Sequence, residues 1–126
     1  MLYAILCYND ENAVMAWSQA EDDAVMAKLD VVHQQLRDQK KLGPALRLMP
    51  TSAATTLVKS KDMILDGPYA ETKEALLGFY IVDVETLEEA HRIARDLGKA
   101  NPGGAYEMRP IRLYLPGDAM PETADG

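Results

Sequence analysis

Four residues are the candidates for pocket chemistry in this chain: Tyr8, His33, Arg47 and Asp66. Proton transfer needs a group that titrates near neutrality, a polar partner to orient it, and often a cation to hold an anionic ligand. His33 is the natural base. It lies one helical turn beyond Leu29 and shares a face with it, so it also has a purely structural explanation, a histidine at the edge of an apolar stripe making one hydrogen bond. No partner stands at a fixed spacing from it, and the structural explanation is favoured. His91, between Ala90 and Arg92 on a second helix, is expected to face solvent. Arg47 and Arg109 fall within apolar strands, where an arginine is rarely buried alone. Each is expected to meet a carboxylate, or else to hold an anionic ligand with its planar fork.

Asp66-Gly67-Pro68-Tyr69 is strong turn punctuation, and Glu71, Lys73 and Glu74 follow at once. Asp66 can close an Asx turn, Gly67 allows a positive φ, and Pro68 fixes the exit. The charges behind it, at the mouth of a strand, could orient a polar ligand or pair across a dimer. Cys7 is the single cysteine, so it forms no internal disulfide and reads as a small buried hydrophobe. No cation nearby in sequence would hold it as a thiolate. Tyr8, Tyr69, Tyr80 and Tyr106 could line a pocket, although aromatics in strands more often serve the core. The sequence has no Cys/His cluster and no His-x-x-x-His spacing, so neither a metal nor a cofactor is expected.

Those residues must be positioned by a chain of 126 residues, enough for one domain with its own core. Thirteen basic against twenty acidic residues give a net charge of -7, which disfavours nucleic acid and anionic membranes as partners. No apolar run approaches the ~20 residues needed to cross a bilayer. The opening Met1 to Tyr8 is short, has no basic residues before it, and runs into Asn9-Asp10-Glu11. It reads as a strand rather than a leader, and the protein is expected in the cytoplasm.

Residues 2–8 form the first strand and Asn9 to Trp17 a loop. Ser18, with Glu21 three residues on, predicts a capping box and a helix to about Lys41. Its apolar stripe is Val25, Leu29, Val32 and Leu36, and Gly43-Pro44 is expected to stop it. Strands follow at Ala45 to Met49, Ala53 to Val58 and Met63 to Leu65, the last two as a hairpin. Leu76 to Val84 is the best strand. Thr86 caps a second helix with Leu87, Ala90, Ile93, Ala94 and Leu97 inward, ending at Gly98. Tyr106 to Leu115 is the last strand, and 116–126 a flexible tail after a domain of 1–115. The order predicts an α+β, ferredoxin-like (split βαβ) antiparallel sheet with an extra hairpin and both helices on one face. In the best strand Leu77, Phe79 and Ile81 point one way, and Leu76, Tyr80, Val82 and Val84 the other. A sheet apolar on both faces with helices for one predicts a homodimer.

At residues 66–74 the sequence DGPYAETKE resembles the signature of the YCII-related, or DGPF, family, whose usual form has Phe where Tyr69 stands. The resemblance extends to Tyr8-Asn9-Asp10-Glu11, Leu46 to Pro50, Ala54 to Leu57, Leu77 to Tyr80 and Tyr106 to Ile111. It implies a dimeric α+β barrel. It also implies kinship with small-molecule lyases or dehalogenating enzymes that use a helix histidine with a nearby aspartate, and in some members a link to extracytoplasmic-function sigma factors. The family's helix histidine falls at Leu29 here, so His33 is not expected to be catalytic. Two functions follow as expectations. One is a small-molecule site beside the sheet, of lyase or isomerase type. The other is a non-enzymatic dimeric module that uses the charged 66–74 loop to bind a partner.

Overall fold

The architecture comes from a computed structural model, which describes residues 1–123. Strand β1 (Leu2–Asn9) is followed by a short helix α1 (Glu11–Met15) and a long helix α2 (Gln19–Asp38). Then come β2 (Leu42–Arg47), a 3-10 turn at Thr51–Ala53, β3 (Thr55–Val58), β4 (Met63–Asp66) and β5 (Ala75–Asp83). Helix α3 (Leu87–Ala100) and strand β6 (Ala105–Pro110) complete the order. Four strands make one sheet in the order β2-β5-β1-β6, every pair antiparallel, while β3 and β4 form a separate hairpin. The expected α+β class with an antiparallel sheet and an extra hairpin is therefore present. Among the described residues no helix is long and apolar enough to cross a membrane.

Local chemistry explains the element ends. The Ser18 hydroxyl accepts from the Glu21 amide at 3.1 Å and the Glu21 carboxylate accepts from the Ser18 amide at 3.4 Å, the expected capping box. The expected loop 9–17 instead contains α1, started by Asp10, whose side chain accepts from the Asn12 amide at 2.9 Å. Helix α2 stops before Gly43-Pro44: Lys40 takes a left-handed φ of 57° and the chain turns there. Gly43 and Pro44 lie inside β2, where the register with β5 shifts between Leu42 and Ala45. Pro44 has no amide to donate, and an edge strand with a bulge is where a sheet tolerates that. The last strand ends at Pro110 rather than Leu115, because its partner β1 begins at Leu2 and leaves later residues nothing to pair with. Helix α3 runs past Gly98 to Ala100, and Asn101 caps it. Residues 116–123 carry no regular element, and the last three positions of the expected tail lie outside the described residues.

The register sorts the sheet into two faces. Leu42, Val82 and Tyr3 form one row on the helix side; Ala45, Tyr80, Ile5 and Met108 the next; Arg47, Gly78, Cys7 and Tyr106 the third. Tyr3, Ile5, Tyr80, Val82 and Val84 are buried there under Leu29 and Leu36 of α2 and Ala90, Ile93, Ala94, Leu97 and Ala100 of α3. Both helices thus share one core, each large apolar side chain contributing about 1.5–3 kcal/mol. Leu87, expected inward, is exposed at the first turn of α3. An ion pair between Lys41 and Glu89 ties the start of β2 to α3, and that contact holds the Glu89 carboxyl below its ordinary range. On the opposite face Leu46, Phe79 and Leu6 form a continuous apolar row with no helix above it. Phe79 and Leu6 are half-covered and Leu46 is exposed. Leu57, Met63, Ile64 and Leu65 of the hairpin are exposed too.

The turn after β4 is not closed by Asp66. The bonds that hold it run from the Gly67 amide to Ala54 O at 2.8 Å and from the Thr56 hydroxyl to Gly67 O at 2.9 Å, with Gly67 at φ 99°. Asp66 itself is exposed. Thr56→Val should therefore cost about 1 kcal/mol, whereas Asp66→Ala should change stability by no more than about 0.5 kcal/mol. Denaturant titration of the two variants measures both, and a larger loss for Asp66→Ala would restore the Asx turn.

Candidate functional site

A cavity of about 230 Å³ lies between the sheet and the N-terminal half of α2. Its origin is visible in the third row of the sheet. Between Arg47 and Tyr106 that row carries Gly78 and Cys7, two of the smallest side chains, directly beneath Asp22, Val25, Met26 and Leu29 of α2. Gly78 is required there for a second reason: a Cβ on it would overlap the carbonyl oxygen of Leu46. Val14 and Trp17, from α1 and the turn into α2, Asn9 at the end of β1, and Asn101 and Gly103 after α3 close the remaining sides.

His33 stands at one end of this cavity with its Nε2 3.0 Å from the Tyr80 hydroxyl, the two rings meeting edge to face. The partner missing from the local sequence is thus on β5, 47 residues away. Burial lowers the His33 pKa from its ordinary value, opposed by Asp30 and reinforced by Arg37. Asp30 Oδ1 lies 3.9 Å from Nδ1, which favours a neutral ring with its proton on Nδ1. Nε2 is then the acceptor, and Tyr80 donates to it. Burial also raises the Tyr80 phenol above its ordinary range, with smaller contributions from Tyr106, Cys7 and Asp30. The pair is a neutral base facing a neutral acid.

At the mouth, Arg47 Nη2 donates to Asp22 Oδ1 at 3.0 Å, and Nη1 lies 4.0 Å from the Met26 sulfur. Arg47 meets the carboxylate expected of it, and so does Arg109, 2.8 Å from Glu107. Both arginines are exposed, so each pair is worth only about 0–1 kcal/mol. The Arg47–Asp22 contact can open at little cost. Cys7 lines the floor half-buried, its thiol pushed up to about 11 by burial, so it stays protonated.

Tyr8, His33 and Arg47 are therefore brought together, and Asp66 is not. It sits on the separate hairpin, and none of the 66–74 segment lines the cavity. Tyr69 is 90% exposed, and Glu71, Lys73 and Glu74 are exposed as well. Tyr80 and Tyr106 border the cavity; Trp17, Asp22 and Asn101 are lining residues that no local pattern announced. His91, expected to face solvent, is half-buried.

The lowered His33 pKa has a signed consequence for stability. The unfolded histidine binds its proton near pH 6.5, the folded one only at lower pH. Its contribution is complete above the unfolded value and is lost as pH falls through the folded one. Thermal denaturation between about pH 8 and pH 5 should show the wild type losing stability toward acid faster than His33→Gln. Parallel curves would remove His33 from the buried, neutral setting described above.

Comparison with known proteins places the chain. The model of the YCII-related domain matches residues 1–114, and the chain belongs to that family. It is 54% identical over 121 residues to an uncharacterized protein of Rhizobium meliloti (strain 1021), a match that covers 94% of this chain and 98% of the other. Among solved structures it is similar to 5-chloro-2-hydroxyhydroquinone dehydrochlorinase from Burkholderia phenoliruptrix AC1100 in complex with 2,5-dihydroxybenzoquinone. That likeness has a TM-score of 0.53 at 19% identity and covers 89% of this chain and 94% of the other, so it is a likeness of fold.

Proposed function

We propose that this YCII-related protein is a small-molecule enzyme of lyase type whose proton-transfer pair is Tyr80 and His33. The observation that carries this is the 3.0 Å contact between His33 Nε2 and the Tyr80 hydroxyl at the end of a cavity large enough for a small ring. The Tyr80 oxygen takes a proton from a ligand carbon while its own phenolic proton passes to His33 Nε2. The C–H electrons become a new π bond, and the leaving group departs with its bonding pair. Neither group has to carry a charge beforehand, which suits a site where burial disfavours both phenolate and imidazolium. The imidazolium that forms has Asp30 beside its other nitrogen. His33 lies one turn from Leu29, about 5.4 Å along the axis, so a histidine at position 29 would occupy a different part of the cavity. This chain would therefore use its own base, delivered through Tyr80. A chlorinated hydroxyquinol, the kind of compound named for the structural neighbour, is a natural first substrate to try. In its diketo tautomer the carbon beside the one holding chlorine is sp3 and next to a carbonyl, so the proton leaves that carbon and chloride its neighbour, giving the hydroxyquinone.

Chloride release from a chlorinated hydroxyquinol should be catalysed, and Tyr80→Phe and His33→Gln should each slow it by roughly 100-fold or more. The double variant should lose little beyond either single one, as expected for groups acting as a unit. Full activity in His33→Gln would contradict the assignment.

We further propose that the topology is ferredoxin-like, which the β2-β5-β1-β6 order supports, and that the protein is a homodimer formed through the open face. The apolar row Leu46–Phe79–Leu6 and the exposed hairpin residues Leu57, Ile64 and Leu65 support the dimer. A surface of that kind is costly to leave in water, and a two-fold pairing buries it on both copies at once. Light scattering at micromolar concentration should give twice the chain mass, and Phe79→Asp should give a monomer. A wild-type monomer would refute the dimer without touching the cavity.

A further inference from the structure

On the far side of the cavity from Arg47, a second phenol is arranged differently from Tyr80. Asn101, the residue that caps α3 by donating its amide to Leu97 O at 3.0 Å, also donates its side-chain Nδ2 to the Tyr106 hydroxyl oxygen at 3.0 Å. A phenol has one proton to give and lone pairs to accept with. With its oxygen occupied by Asn101, Tyr106 keeps its O–H to donate, and it lies in the cavity lining beside Cys7. The helix cap fixes Asn101, Asn101 orients Tyr106, and strand pairing to β1 fixes the ring's position on the floor.

We propose that Tyr106 is the donor that binds an acidic oxygen of the ligand, so that the cavity selects small compounds bearing a phenol, enol or enolisable carbonyl. This rests on the cavity being the ligand site proposed above, and it names the ligand class. An oxyanion would meet no uncompensated negative charge there: among the described residues lining the cavity Asp22 is the one carboxylate, and Arg47 already engages it at 3.0 Å. Burial keeps Cys7, Tyr80 and His33 of the lining neutral, and the nearby carboxylate of Asp30 lies outside the lining, exposed to solvent beside His33. The chain's net charge of -7 opposes an anionic ligand, and a hydrogen bond from a placed donor acts against that opposition. Burial raises the Tyr106 pKa while the bond from Asn101 acts in the opposite direction, so Asn101 makes the phenol a stronger donor than burial alone would leave it. Tyr106 then polarises the oxygen next to the carbon from which the Tyr80–His33 pair removes a proton, and the charge that develops on that oxygen meets a placed hydrogen-bond donor.

The probe is 4-nitrophenol, whose colour reports whether it is ionised. The wild-type protein should bind it with its oxygen on the Tyr106 hydroxyl, which holds the bound pKa below the value that the same buried cavity would give without that donor. Tyr106→Phe, which removes one oxygen and keeps the ring, should raise the bound pKa by about one unit and weaken phenolate binding about tenfold. Asn101→Ala, a positioning variant, should shift it in the same direction by less. Binding that leaves the bound ionisation unchanged in Tyr106→Phe overturns the role of Tyr106 while the cavity stands. No binding, or binding undiminished when Val25→Trp fills the roof, overturns the cavity itself and the proposal with it.

Discussion

Two helices can cover one face of a four-stranded sheet and no more, and the rest of the molecule follows from that limit. Helices α2 and α3 pack on the face that carries Tyr3, Ile5, Tyr80, Val82 and Val84, and all the buried apolar side chains gather there. The other face keeps an apolar row with no helix, among the described residues, placed above it. Within the covered face, packing is complete only where side chains from sheet and helix both have bulk. Under the first half of α2 the sheet offers Gly78 and Cys7, and the layer separates into a hollow. The cavity is thus a consequence of small residues at one row of the sheet.

The hollow collects polar groups that would be unfavourable in the solid core. Tyr80, Tyr106 and His33 each lose water on burial, and each has found a partner: His33 with Tyr80, Tyr106 with Asn101. Their pKa values move in the direction that keeps every one of them uncharged. Among the lining residues charge is confined to the mouth, where Arg47 and Asp22 neutralise one another within reach of solvent. A low-dielectric interior with neutral donors and acceptors and a charged rim favours reactions in which charge appears only during turnover.

Much of the architecture was legible because it rests on local signals. The stripe Val25, Leu29, Val32, Leu36 and the Ser18–Glu21 box located α2, and Thr86 located α3. Gly43-Pro44 misled because the pair that commonly ends a helix can equally sit in a bulged edge strand, and Lys40 had already turned the chain. The site was only partly legible. Tyr8, His33 and Arg47 could be chosen by residue type, but the union of His33 with Tyr80 depends on a register between distant segments that no spacing encodes. Asp66 was drawn into the candidate pocket by a conspicuous motif. That motif folds a hairpin turn, through Thr56 and Ala54, away from the cavity.

The chemistry of the cavity depends on a neutral His33 whose Nε2 accepts from Tyr80. Nitrogen-15 NMR of the histidine ring reads this directly. The expected result is a single Nδ1–H tautomer at neutral pH, a titration displaced to acid, and a change of the Nε2 resonance in Tyr80→Phe. A ring that exchanges freely between tautomers and titrates at the ordinary value would contradict it, because His33 would then be an exposed side chain with no part in the cavity.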